Sequence, residues 1–290
     1  MMNSIRIALL RGVCQTPAYV AYELGYFREE GLDVRLEIQP TAWVVPSRLA
    51  RQEIQFAVIP WTRVAAAQSH GEDLVLVCGS GCEEAALVVR QGMTLADVQT
   101  IAVPQEGGMK DLTAMALLKS LDWNQRQLIR MPSGDGAILA LVGQGADAAS
   151  MVEPYATMLE MLKLGRVVRR TGDVWPGAPG CSLATSRGLL DDRPDLVRSV
   201  VTAYVRGADF VGACPDEAAP IAARFIGVST QIVRRALRCN RPQVRALHNT
   251  SAMDQILDLM VELKYLAERP SGFAELGILE SLAGESLAST

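Results

Sequence analysis

Three cysteines far apart in the chain, Cys14, Cys82 and Cys181, are each expected near one cleft, Cys181 at the start of a segment, 181–186, that with 84–90 reads as a paired double crossover. Brought together, their thiols would suit a soft metal ion. No Cys-x-x-Cys pair or histidine accompanies them, and cysteine is commonly a small buried hydrophobe, so the expectation is no metal and no cofactor. Arg63, directly after Trp61 and Thr62, is the residue type that pairs with a carboxylate or sulfonate, or else sits solvated on the first turn of a helix. Glu83, Glu84, Glu106 and Glu153 occupy similar loops. Facing a cleft, they would repel an anion and accept hydrogen bonds from an amine or aminopyrimidine, while a capping or solvent-facing place competes for Glu84 and Glu153. Gly107-Gly108 can expose amides to an anionic head group at a helix start, or simply turn the chain. The histidines, His70 and His248, read as structural, and no phosphate loop, Ser-His-Asp set or His/Glu metal motif occurs.

To act together these residues need strands that end on one side. Apolar runs at 5–10, 33–38, 54–58, 74–78, 100–103, 148–152 and 167–168 read as strands, with helical patterns between them, as in a parallel sheet covered on both faces. Ligands of such sheets bind beyond the carboxyl ends of the strands. The loops there run from Arg11 to Pro17, Thr41 to Pro46, Pro60 to Arg63, Gly79 to Glu84, Gln105 to Lys110, Ser133 to Asp135 and Glu153 to Tyr155. Only 5% of the chain is aromatic, yet Tyr19, Trp43, Trp61, Tyr155 and Trp175 lie in or beside these loops, where they can stack on a ligand or pack the lobes. Trp43 and Trp61 lead that group.

The local reading is clearest at residues 16–38. Thr16 can cap and Pro17 open a helix whose Val20, Leu24 and Phe27 share a face. Gly25 and Gly31 can take positive φ, and Leu32, Val34, Leu36 and Ile38 then alternate with charged residues as in a half-buried strand. Further on, 195–212, 215–226, 229–238 and 254–268 carry helical spacing.

The 290 residues, 49% hydrophobic and 21% charged, are enough for two lobes. A net charge of −4 and a pI near 5.4 offer no footprint for nucleic acid or an anionic membrane. No apolar run is long enough to span a bilayer, and the six cysteines show no paired framework. The N-terminus lacks a secretory pattern, so the chain as written is expected in the cytoplasm.

The stretch Ala18 to Glu37 after the strand Ile5 to Leu10, the run Ala140-Leu141-Val142-Gly143-Gln144-Gly145-Ala146-Asp147-Ala148 with Glu153-Pro154-Tyr155, and Leu189-Leu190 with Arg193-Pro194-Asp195-Leu196-Val197 resemble the solute-binding proteins of nitrate, sulfonate, taurine and pyrimidine importers. The resemblance covers most of residues 5–240 in order. It implies an α/β, two-lobed type II periplasmic-binding-protein-like fold, each lobe a mixed, mostly parallel sheet flanked by helices, with 1–88 and 184–290 in one lobe and 89–183 in the other. It implies capture of a small organic or oxyanionic ligand by hinge closure, an ABC permease and ATPase as partners, and a periplasmic or cell-surface place if a leader was trimmed. By loop position the expected contacts are Gln15, Thr16, Trp43, Trp61, Thr62, Glu83, Gly107, Gly108 and Glu153. Two alternatives stay open: an enzyme on the same scaffold, and a cytosolic ligand sensor. Cys14 with Pro17, and Trp61-Thr62-Arg63, resemble segments of aromatic sulfinate desulfinases, which implies Cys14 as nucleophile and Arg63 as substrate anchor. The histidine expected upstream of that arginine is absent, and Glu53 to Gln55 occupy the region. The histidine and cysteine-rich cluster of thiamin-pyrimidine synthases are also absent.

Overall fold

Among the described residues ten strands are formed: Ile5–Leu9 (β1), Val34–Ile38 (β2), Phe56–Pro60 (β3), Leu74–Gly79 (β4), Ala85–Arg90 (β5), Thr100–Val103 (β6), Gln127–Arg130 (β7), Ala148–Val152 (β8), Gly165–Arg170 (β9) and Cys181–Ser186 (β10). The computed structural model describes residues 4–288 apart from 124, 132 and 133, so Ser133 of the expected cleft loops lies outside the described residues. One sheet has the order β2-β1-β3-β10-β4 and the other β7-β6-β8-β5-β9. In the first, β1 is parallel to β2 and β3, and β10 is inserted antiparallel between β3 and β4. In the second, β6 is parallel to β7 and β8, and β5 is inserted antiparallel between β8 and β9.

The mixed α/β, two-sheet architecture is therefore the expected one. The crossings fall earlier than the expected breaks after residues 88 and 183, because β5 belongs wholly to the second sheet and β10 wholly to the first. The chain thus crosses at 80–84 and returns at 171–180. Strand β7 escaped the sequence reading: its apolar pair Leu128-Ile129 is flanked by Gln127 and Arg130 and is only half-buried at the sheet edge. Strand β3, by contrast, is buried along its whole length, as a continuous apolar run covered on both faces must be.

The helix Thr16–Glu23 carries Pro17 in its first turn, and Gly25 and Gly31 take φ of 81° and 74°. Thr16 is not its cap. It is itself helical, and its hydroxyl donates to the Val13 carbonyl at 2.6 Å. This helix packs on Pro194–Ala213 at Gly207, where an added Cβ would lie 2.2 Å from the Pro17 carbonyl oxygen, a contact only glycine permits. Pro215–Ile226 and Thr230–Cys239 follow as expected. The next helix, Thr250–Glu262, starts earlier than expected because the Asn249 side chain accepts from the Ala252 amide, and ends earlier, with Lys264 at positive φ. Met109 and Leu112, from the helix Met109–Ser120 of the second lobe, join one buried apolar cluster with Trp61, Val64, Met253 and Leu257 of the first. Among the described residues no helix is long and apolar enough to cross a membrane.

Candidate functional site

A cleft of about 240 Å³ opens between the two sheets at the carboxyl ends of β1, β3, β6 and β8. Its first-lobe wall is the loop after β1, which carries Arg11, Cys14 and Gln15. Gln15 is fully buried; its Oε1 accepts from the Leu10 amide at 3.2 Å and its Nε2 donates toward Cys14 Sγ at 3.2 Å. Distant residues fix the same loop. The Tyr19 hydroxyl donates to the Leu10 carbonyl at 2.6 Å, and the Tyr204 hydroxyl donates at 2.6 Å to Ser80, whose hydroxyl in turn donates to the Cys14 carbonyl.

The cleft floor is built where the chain crosses between sheets. Glu84 is 3% exposed, and its Oε1 accepts from the Cys181 amide at 3.0 Å. Its Oε2 is buried and meets no partner at hydrogen-bond geometry, although the thiols of Cys14 and Cys181 lie beside the carboxylate. Two glycines shape the socket: a Cβ on Gly81 would stand 1.8 Å from Oε2, and one on Gly180 would stand 2.4 Å from Cδ. The backbones of these glycines are tied, Gly81 donating to the Cys181 carbonyl at 2.7 Å and Gly180 to the Gly81 carbonyl at 2.8 Å. As a result Cys14 Sγ, Cys181 Sγ and a Glu84 oxygen all lie within 4.8 Å of one another. Cys82 does not join them. It forms an isolated bridge with Pro179, its carbonyl accepts from Asn240, and burial pushes its thiol up to about 11.

From the second lobe, Lys110 enters on the first turn of Met109–Ser120, close enough to feel Cys181, Glu84, Asp135 and Cys14; burial lowers its pKa. Gly108 lines the cleft at the start of that helix. The Gly107 amide donates to Asp111 Oδ2 at 2.9 Å, and Asp111 is ion-paired to Arg130. For Cys14, the hydrogen bond with Cys181 pulls the pKa down, but burial and the Glu84 charge prevail and leave it raised. Cys181 is raised further, first by its hydrogen bond to Cys14 and then by burial. Both groups rest as thiols.

At the mouth, Trp43 is 53% exposed and the Arg63 guanidinium carbon lies 4.4 Å from the centre of its ring. Arg63 donates from Nη2 to the Gln105 carbonyl at 3.4 Å, while its Nε is buried without a partner. Burial lowers its pKa to about 10, with Asp111 opposing, so it is cationic at neutral pH.

Of the nine expected contacts, Gln15, Trp43 and Gly108 line the cleft, as do Cys14 and Arg63. The others are placed elsewhere. Trp61 is a core residue, fully buried, stacked on Phe273 and donating from Nε1 to the Pro179 carbonyl at 3.0 Å. Thr16 holds the Val13 turn, and Thr62 donates across the lobes to the Gly107 carbonyl at 2.9 Å. Glu83 turns to the loop at Gly177, whose amide it accepts, and Glu153 is buried against Arg170 at 2.9 Å and the Thr157 amide at 3.0 Å. His70 is exposed after the helix Trp61–Ser69, and His248 lies 3.6 Å from Glu280. Lys110 and Asp135 were missed as site residues. Both lie at the ends of cleft loops, but nothing in their local pattern says which way they face.

Among curated proteins none is similar enough in sequence to count as a match. Solved structures with this fold include the ligand-binding component of an ABC-type import system from Staphylococcus aureus with zinc bound. It is 17% identical, with 96% of this chain and 98% of that chain covered and a TM-score of 0.85. The alkanesulfonate-binding protein SsuA from Xanthomonas axonopodis pv. citri bound to MOPS is 16% identical over 94% of this chain and 98% of its own, with a TM-score of 0.79. The periplasmic aliphatic sulphonate-binding protein SsuA from Escherichia coli is 16% identical over 92% and 95%, with a TM-score of 0.75. These likenesses establish the two-lobed periplasmic-binding-protein fold. Residues 2–227 match the model of the NMT1-like family, and the chain belongs to that family.

Proposed function

We propose that this chain is the solute-binding component of an ABC-type importer, placed outside the cytoplasmic membrane, and that it captures a small organic ligand with an oxyanionic group between its lobes. The observation that carries the reading is Arg63. A guanidinium lining the cleft, its carbon over the ring of an exposed tryptophan and its Nε buried and unpartnered, is arranged to receive an anionic or polar head group while Trp43 covers the ligand body. The solved structures of sulfonate-binding proteins with this fold support the ligand class. Because Arg63 and Gln15 come from one lobe and Lys110 and Gly108 from the other, a ligand touching both favours the closed form, which a permease can recognise.

An enzymatic role for Cys14 gains no support from its surroundings. A nucleophilic cysteine works as the thiolate, and here burial and Glu84 keep the proton on sulfur.

A thermal-shift screen against nitrate, alkyl and aryl sulfonates, taurine and aminopyrimidines tests the proposal. Ligand at about 100 times its Kd should add about 2.7 kcal/mol to stability. Arg63→Gln should abolish the shift for oxyanions. A shift with aminopyrimidines alone, unchanged in that variant, would overturn the oxyanion reading.

A further inference from the structure

We propose that Cys14, Cys181 and Glu84 bind one thiophilic divalent cation of the zinc type at the floor of the cleft. The three donors come from separate segments, the β1 loop, the first crossing and the start of β10, yet their ligating atoms lie within 4.8 Å of one another. Tetrahedral zinc with sulfur bonds of about 2.3 Å holds two sulfurs about 3.8 Å apart, so the donors need to contract by about 1 Å or less. Glu84 supplies an independent observation: Oε2 is buried, has no hydrogen-bond partner, and sits in a socket that Gly81 and Gly180 keep clear. A buried carboxylate oxygen left in that state calls for a proton donor or a cation.

Charge and donor type narrow the ion. Two thiols that release their protons to solvent and one carboxylate present three negative charges; a divalent cation leaves one, and the Lys110 ammonium faces it. Magnesium and calcium prefer shells of oxygen and are poorly served by two sulfurs, whereas zinc and its neighbours accept mixed sulfur and oxygen ligands. Three protein donors leave a fourth position, and the side left open is the cleft, where a donor atom of the solute can enter. The cation goes beyond the solute-binding reading and does not depend on it.

Cobalt(II) titration of the reduced, chelator-stripped full chain tests the site. The expected result is one equivalent bound, with thiolate-to-cobalt charge-transfer absorption and the strong visible bands of four-coordinate cobalt. Cys14→Ser and Cys181→Ser should each remove the charge-transfer signal or reduce it by half, Glu84→Gln should weaken binding at least about tenfold, and Cys239→Ser should change nothing. Because a buried cysteine variant can fail to fold, X-ray absorption of the zinc-loaded unmodified protein is the second measurement: two sulfurs with oxygen or nitrogen in the first shell are expected. A shell without sulfur, or charge-transfer bands of undiminished intensity in both cysteine variants, overturns the proposal. The solute screen on the stripped protein separates the two readings, since organic shifts without a cobalt signal sink only the cation, and a cobalt signal without organic shifts sinks only the solute.

Discussion

The two lobes share one strand order. β2-β1-β3-β10-β4 and β7-β6-β8-β5-β9 are the same arrangement, each with a strand from the far side of a crossing inserted antiparallel. Their packing differs. In the first lobe β3, β4 and β10 are buried end to end and C-terminal helices pack around the sheet, whereas the second lobe ends in the half-exposed β7. Their contributions to the cleft differ accordingly. The first lobe brings the tightly bonded Cys14 and Gln15 from the loop after β1 and Arg63 from the helix after β3, and the second brings Lys110 and Asp135 on the first turns of helices. One strand order thus carries a wall of loop residues held by buried bonds in one copy and a wall of helix-start residues in the other.

That contrast can be broken experimentally. The largest effect is expected from Trp61→Ala in the first lobe, which empties a fully buried site and orphans the Pro179 carbonyl. It should cost about 3–5 kcal/mol in urea unfolding; a loss below about 1 kcal/mol would mean that the first lobe's core is not closely packed around Trp61. Next comes Arg130→Met in the second lobe. It leaves the fully buried Asp111 without its ion partner and should cost about 3 kcal/mol. The same change should loosen the Gly107 turn, seen as faster amide exchange there.

Asp147→Asn probes the edge of the second sheet and should cost about 1–2 kcal/mol, the low end for charged hydrogen bonds because water reaches the site. Burial pushes the Asp147 pKa up, but the amides of Gln99 and Thr100, the Thr100 hydroxyl and Arg90 outweigh it and hold the pKa below its ordinary 3.8. Its contribution is therefore present above the unfolded-state pKa and lost as pH falls through the native one. Acid titration of stability should be less steep in the Asn variant, and identical profiles would remove Asp147 from the account. The smallest stability effect belongs to Trp43→Ala: within about 0.5 kcal/mol, since the ring is half in solvent, while affinity for an aromatic sulfonate falls several-fold by calorimetry.

Backbone features with local causes were legible in the sequence. Gly25 and Gly31 turn where positive φ is needed, and alternation or continuous apolar runs mark β2 and β3. The signature around Asp147 also has a physical basis, for that carboxylate stitches β6 to the start of β8. Side-chain direction was not legible. Trp61 and Arg63 sit two residues apart on one helix, yet Trp61 turns into the core and Arg63 into the cleft. Glu84 reads as an ordinary loop acid until Gly81 and Gly180, nearly a hundred residues apart, are seen to wall it in. The sequence groups Cys14, Cys82 and Cys181 near one cleft without saying which converge; the structure brings Cys14 and Cys181 together, while Cys82, beside the same crossing, bridges Pro179 and bonds Asn240.

The bond from Thr62 to the Gly107 carbonyl, with Met109 and Leu112 seated in the first lobe's apolar cluster, has a kinetic meaning. On the proposed solute-binding reading, the closed form is held in part by these contacts between the lobes, so a ligand's dwell time would be set by how often this seam parts as well as by its own bonds. On that reading, Thr62 is a position at which the rate of ligand exchange would change without touching the ligand.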